Sequence, residues 1–279
     1  MPESSQAQLT ERFAALHRPG QPLLLPNPWD AGSARLLAWL GFEALATTSS
    51  GAAATFGLRD GEMGAERALA NAAAIVEATP LPVSADLEDG FADGAEGVAR
   101  TARGAIAAGL AGFSIEDYTG DDAAPIYDVD RAAERVRAAA EAAHAGPARL
   151  VVTGRCENHL HGRDDLADTI ARLQAYQEAG ADVLYAPGLS DADQIRSVVE
   201  SVDRPVSVLA RAGVPPVPEL AALGVARVSV GGAFAFAALD MLVEAARELR
   251  DQGTYGYAAR AAPGAKAAAE AFAVSAAPR

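Results

Sequence analysis

Lysine is almost missing from this chain. Of 23 basic residues only Lys266 is not an arginine, and it lies near the C-terminal end in the alanine-rich "PGAKAAAEAFAVSAAPR". Schiff-base chemistry requires a lysine inside an active site, so lysine-aldolase and pyridoxal mechanisms are nearly excluded. Cysteine is as scarce. Cys156 stands alone and has no intrachain disulfide partner, in keeping with a reducing compartment. Positive charge is in deficit too: the net charge of −14 sets up an acidic field that repels phosphate, which argues against nucleic acid or an anionic membrane and for a small ligand. No apolar run reaches the roughly 18 residues that span a bilayer, and "MPESSQAQLTERF" lacks the basic-then-apolar pattern of a signal peptide. A cytoplasmic protein is expected. Aromatic residues make up only 6%, but the hydrophobic fraction of 50% over 279 residues can bury one large core.

Short apolar runs of the kind that form buried parallel strands recur at 22–26, 43–49, 82–86, 112–116, 149–155, 182–186, 205–210 and 226–231. Segments with helical periodicity lie between them, among them "SARLLAWLG", "ERALANAAAIVEA", "VARTARGAIAAG", "DRAAERVRAAAEAAH" and "DLADTIARLQAYQEAG", several ending in glycine. Alternation of this kind predicts an α/β fold, a (β/α)₈ barrel, with an open doubly wound sheet as the alternative. No shift in composition marks an internal boundary. Residues 1–279 therefore read as a single barrel domain with a helix before it ("LTERFAALH") and a helical tail after it ("AEAFAVSAAPR").

In such barrels the loops after the strands build the active site, and the polar residues fall there: Ser49-Ser50-Gly51 after strand 2, Asp86 and Glu88 after strand 3, Glu116-Asp117 after strand 4, Arg155 and Glu157 after strand 5. Alternation puts Asp86 on one face with Ser84 and Glu88, and Arg155 with Thr153 and Glu157. Asp86, Glu88 and Glu116 on adjacent strands would repel one another unless a cation or shared protons intervene. An all-oxygen set suits Mg²⁺ or Mn²⁺. The rival reading makes these acids helix caps or arginine partners. Asp89 fits turn chemistry, and Asp30 with Ser33 fits helix capping as well as ligation. Cys156 should point away from the Arg155 face as a buried thiol. His159 and His161 could bind metal but, without a further soft ligand nearby, fit hydrogen-bonded or exposed roles. His17 and His144 read as peripheral, and Tyr127 as a packing residue or part of a lid.

The segments "LLLPNPWDAGSARLLAWLGFEALATTSSGAAATFGLRDGE", "PVSADLEDGF", "GFSIEDYTGD" and "TGRCENHLHG" together resemble the isocitrate lyase/phosphoenolpyruvate mutase superfamily, in order and over roughly 22 to 250. "AYQEAGADVLYAPGL" and "ARVSVGGAFAFAAL" resemble its short bacterial members. The resemblance implies a (β/α)₈ barrel whose last helix is swapped between subunits of a dimer or tetramer. It implies Asp86 as direct Mg²⁺ ligand, with Glu88, Glu116 and Asp60 holding the metal through water. Ser50 and Gly51 would bind a substrate carboxylate, Arg155 would clamp the oxyanion, and Arg155 and Glu116 are the catalytic candidates. The family's isocitrate and methylisocitrate lyases carry a cysteine in a lysine-rich loop after strand 4; here that loop is "EDYTGDDAAPIYDVD", with neither. The lysine and asparagine of phosphonopyruvate-forming mutases are absent as well. What remains is a Mg²⁺-dependent lyase acting on a small 2-oxo or 2-hydroxy acid through an enolate, by carbon–carbon cleavage or decarboxylation. The alternatives are phosphoenolpyruvate or phosphonopyruvate chemistry, and a barrel that binds a small acid without turnover.

Overall fold

The computed structural model describes residues 4–273. In chain order these form α1 (Gln6–Ala15), β1 (Leu23–Leu25), α2 (Ala31–Trp39), β2 (Leu45–Ala46), α3 (Ser49–Thr55), α4 (Gly64–Ala78), β3 (Val83–Asp86), α5 (Ala95–Ala107), β4 (Gly112–Glu116) and α6 (Val129–His144). There follow β5 (Val151–Arg155), α7 (Leu166–Glu178), β6 (Val183–Tyr185), α8 (Ala192–Ser201), β7 (Val206–Leu209), α9 (Val217–Ala222), β8 (Arg227–Ser229), α10 (Ala233–Gln252) and α11 (Ala258–Ala273). Each of the eight expected runs contains a strand.

All the strand pairs are parallel, and the order runs β1-β8-β7-β6-β5-β4-β3-β2. Between β1 and β2 the circle closes through Ala46 N–H donating to the Pro26 carbonyl at 3.1 Å. Asn27 completes the seam: its Nδ2 donates to the Thr47 carbonyl at 2.9 Å, and its Oδ1 accepts from Val230 and Gly231 N–H, each at 3.0 Å. The result is a (β/α)₈ barrel, and the open-sheet alternative falls away.

Strand alternation sorts the apolar side chains into two bodies. Phe113, Ile115, Val152, Leu184, Val206 and Val228 face outward and pack under the helices with Val98, Ala102, Val136 and Leu173. Leu23, Leu25, Val151 and Val183 face inward and meet Phe13 and Leu16 from the end of α1, which plugs the strand N-termini. Alanine-rich helix faces, such as Ala132, Ala133, Ala139 and Ala143 of α6, let the outer ring approach closely. Gly41, Gly109 and Gly180 reverse the chain between helix and strand at φ of 90°, 80° and 104°, a conformation open to glycine.

Asp30 does cap α2: its Oδ1 accepts from Ser33 N–H at 2.7 Å, and Ser33 Oγ accepts from Asp30 N–H at 3.1 Å. The tail is helical as far as Ala273, and residues 274–279 lie outside the described residues. Lys266 is exposed on α11, 3.9 Å from Glu270. α11 rests on α2 of its own chain. α10 is nearly bare: only Ala235 of its 20 residues is buried, and Phe234, Phe236, Leu242 and Leu249 are exposed. No described helix is long and apolar enough to cross a membrane.

Candidate active site

A cavity of about 220 Å³ opens among the strand C-termini, lined by Thr47 to Ser50, Asp60, Asp86, Arg155, Tyr185 and Arg227, among others. That volume lies below the ~300–1,000 Å³ of pockets for drug-sized ligands, so it suits a small molecule.

Arg155 ends β5 and draws three carboxylates to one guanidinium. Nη1 lies 2.9 Å from Glu116 Oε2 and 3.4 Å from Asp86 Oδ1, and Nε donates to Glu157. Strand alternation delivers this face as expected. Glu157 is fixed from behind: its N–H donates to buried Asp117 Oδ1 at 2.7 Å, while Asp117 Oδ2 accepts from Tyr176 Oη at 2.5 Å and Arg172 Nη1 at 3.1 Å. The acids around Arg155 divide in character. Against the burial that opposes it, Arg155 with His161 holds Glu157 below the usual carboxylate range. Burial pushes Glu116 well above its usual range, in spite of Arg155. Arg155 itself stays charged, since Glu116, Glu157 and Asp86 outweigh the effect of burial.

On the other side of Asp86, Ser49 donates from N–H at 3.3 Å and from Oγ at 3.0 Å to Oδ2. Asp60 faces the same group, and its carboxyl is raised by burial and by Asp86. Glu88 does not continue the strand, as the alternation argument had it. It sits in the left-handed region at φ 49°, and burial, with Asp86, Asp60 and Asp89 beside it, pushes its carboxyl up to about 8. The turn is clamped by Asp89, which accepts from Phe91 N–H at 2.8 Å, Tyr127 Oη at 3.2 Å and buried Arg135 at 2.8 Å. Asp89 is thus the turn residue expected, and Tyr127 packs.

These acids fit a hard divalent cation. Asp86, Glu116 and Glu157 share one guanidinium, and Asp60, Glu88 and Glu116 are forced toward protonation by burial, with the other acids adding to it; added positive charge relieves that. Among the described residues no group of three or more acidic, histidine or cysteine side chains converges into a ready-made cage. Mg²⁺ does not need one, since it keeps several waters and commonly takes only one or two carboxylates. Of the four acids Asp60, Asp86, Glu88 and Glu116, Asp60 and Asp86 line the cavity, and Asp86 is the one held between Ser49 and Arg155.

Ser50 and Gly51 lie in the first turn of α3, capped by Thr48 Oγ1, which accepts from Gly51 N–H at 3.3 Å. Read from sequence they belonged to a loop; the threonine before them is the capping signal. Gly51 must be glycine for space: a Cβ there would come within 2.7 Å of Thr48 Cγ2 and 3.0 Å of Ala235 Cβ. Cys156 is fully buried in the outer core, and burial raises its thiol. His159 is paired with Asp164 at 2.8 Å, and His161 stacks on Tyr118 at a centroid distance of 4.0 Å. His144 pairs with Asp182 at 2.9 Å. His17 is not peripheral. It is buried inside the barrel plug, where burial and then Arg227 lower it to about 3. Ser49 lines the cavity as its place after β2 implies, whereas Tyr185 and Arg227 do so without having been picked out from sequence; the one signal was an arginine within the buried run "ARVSVG".

Comparison with known proteins agrees with this geometry. Residues 13–250 match the family model for phosphoenolpyruvate phosphomutase. A solved structure from Burkholderia cenocepacia J2315, described only provisionally as a lyase/mutase, is 52% identical with a TM-score of 0.91, covering 97% of each chain. Oxaloacetate decarboxylase of Chromohalobacter salexigens is 32% identical over 265 residues, 90% of this chain and 88% of its own. Oxaloacetate acetylhydrolase, solved with its product oxalate, is 26% identical with a TM-score of 0.81, over 90% of each chain. The chain thus belongs to the phosphoenolpyruvate phosphomutase family and is an enzyme of the isocitrate lyase/phosphoenolpyruvate mutase superfamily, with lyases among its relatives.

Proposed function

We propose that the protein is a Mg²⁺- or Mn²⁺-dependent lyase that breaks a carbon–carbon bond, by cleavage or decarboxylation, in a small 2-oxo or 2-hydroxy carboxylic acid. The observation that carries this reading is the pairing, across one small cavity, of an acid cluster in excess negative charge with a buried arginine that stays charged. Asp86 would hold the cation directly, with Asp60, Glu88 and Glu116 behind it through water. When bound, the cation polarises the acid's carboxylate and keto or hydroxyl oxygens and draws charge from the bond that breaks.

The chain's own groups do the rest. Ser50, on the cavity wall at the start of α3, would bind the substrate carboxylate, and Gly51 behind it lets the turn close on Thr48. Arg155 takes the charge that develops on the oxygen of the enolate, and is preorganised to do so by Glu116 and Glu157. Tyr118, Thr119 and the segment to Ile126 fold as a hairpin after β4, closed by Thr119 N–H to the Pro125 carbonyl at 2.9 Å. That hairpin carries Asp121 and Asp122 in place of cations, which disfavours the phosphonate alternative.

The bare apolar face of α10 supports a homo-oligomer in which a second copy covers it, with α11 exchanged or packed in place. A cytoplasmic setting suits the lone cysteine and acidic surface. The test of the function is to incubate the protein and Mg²⁺ with a panel of 2-oxo and 2-hydroxy acids, oxaloacetate, phosphoenolpyruvate and phosphonopyruvate, and to follow pyruvate or oxalate release. Turnover of a carbon acid that chelation abolishes is the expected result. Turnover of phosphonopyruvate alone, or of nothing, contradicts the reading.

A further inference from the structure

Three arginines are almost wholly out of solvent, and two of them are neutralised. Arg135 pairs with Asp89 at 2.8 Å, and Arg172 with Asp168 at 2.6 Å and Asp117 at 3.1 Å. The third, Arg227 on β8, is 4% exposed and has only neutral partners: Ser207 Oγ accepts from Nε at 2.9 Å, and Thr153 Oγ1 and His17 Nε2 accept from Nη1 at 3.1 and 3.4 Å. The histidine can only accept there, because its Nδ1 is 2.9 Å from the Phe13 carbonyl and so carries the proton. The Tyr185 ring, 5.8 Å from the guanidinium, adds polarisable surface but no charge. Among the described residues no carboxylate pairs with Arg227. A cation buried without a counter-charge is strongly disfavoured.

Arg227 also lines the cavity that Asp86 and Arg155 line, together with Ser84, Ser114, Ser229 and Tyr185. The Tyr185 ring neighbours both guanidiniums, 5.6 Å from that of Arg155 and 5.8 Å from that of Arg227. A molecule held at one end by the acid–arginine group therefore presents its other end to an unpaired charge. We infer that Arg227 is a second anion subsite, which holds the distal carboxylate of a dicarboxylic substrate. The inference rests on the small-acid reading above and narrows it to diacids short enough for a cavity of about 220 Å³. Burial lowers Arg227 to about 10, so it remains a cation at neutral pH.

Lactate and malate share a 2-hydroxy-carboxylate head and differ in the distal carboxylate. Titrated calorimetrically in the presence of Mg²⁺, malate should bind the parent roughly 10- to 100-fold more tightly than lactate, the worth of one charge-assisted hydrogen-bonded pair. Arg227→Met keeps the stem that packs on Tyr185 and removes the charge. It should bring malate down to the lactate affinity and leave lactate where it was. Equal preference for malate in parent and variant overturns the subsite, as does a parallel loss for both acids. If the variant does not fold, the parent decides the matter with the 4-amide of malate, which should bind like lactate; binding like malate overturns the proposal. A parent that binds malate and lactate alike refutes the subsite and leaves the small-acid reading standing. One that binds neither removes both.

Discussion

Replacing Arg155 by methionine removes the one cation that Glu116, Glu157 and Asp86 share, while keeping most of the side-chain volume. Glu157 and Glu116 are 3% and 9% exposed at the side chain, so the loss leaves charge that water reaches poorly. Breaking a buried pair from one side typically costs about 3–5 kcal/mol, and in a chain of this size each kcal/mol moves Tm by about 2–4 °C. The variant should therefore melt roughly 6–20 °C below the parent near pH 8. The pH dependence follows from Glu116, whose carboxyl is already raised by burial against the pull of Arg155, and which rises further without it. A carboxyl with a folded pKa above its unfolded value of 4.5 binds protons on folding, so its stabilising effect is complete below that value and fades as pH rises through the folded pKa. The part of the deficit that comes from Glu157, held low by Arg155, is already present at pH 5, and Glu116 should widen it toward pH 8; Mg²⁺ should narrow it by replacing the lost charge. Thermal unfolding of both proteins across pH 5–8, with chelator and with Mg²⁺, measures this. A deficit that is constant with pH and indifferent to Mg²⁺ would refute the shared-cation account of the cluster.

Three further outcomes are expected. The buried His17 is lowered from 6.5 to about 3, so its contribution is complete above pH 6.5 and drains away as pH falls toward 3, at up to ~1.4 kcal/mol per pH unit. His17→Gln should flatten the acid limb of the stability curve, and an unchanged slope counts against a neutral buried imidazole. Cys156→Ser should retain most turnover, and the parent thiol should alkylate slowly whether or not substrate is present; protection by substrate would place the thiol in the cavity. Gly51→Ala forces a Cβ to within 2.7 Å of Thr48 and should cost about 1–3 kcal/mol by overpacking, with weaker acid binding by calorimetry. A variant that melts and binds like the parent would show that α3 has room to shift.

The strands could be read because a parallel barrel buries both of their faces, so each shows as a short apolar run such as "GFSIE" or "DVLYA". The face of β5 that carries Thr153 and Arg155 followed from alternation alone. Alternation failed where the backbone leaves the strand: Glu88 reaches the cluster from a left-handed turn that depends on Asp89, Tyr127 and Arg135, all but Asp89 distant in sequence. α3 was hidden since its seven residues are too few for a periodic signal. The placement of His17 depends on α1 entering the barrel end, a long-range packing event with no local mark. Arg227 was visible as a charge in an apolar run, but whether such a charge is paired is a question only the fold answers.

The central claim is that Asp86 anchors a divalent cation within the acid cluster, and calorimetric titration of Mg²⁺ into the chelator-treated parent and into Asp86→Ala tests it directly. Parallel titrations of Asp60→Asn, Glu88→Gln and Glu116→Gln set the scale. The account predicts a single site in the parent, weakened roughly 10- to 100-fold by the loss of each outer acid and more severely by the loss of Asp86. Equal Mg²⁺ affinity in the parent and in Asp86→Ala would contradict it.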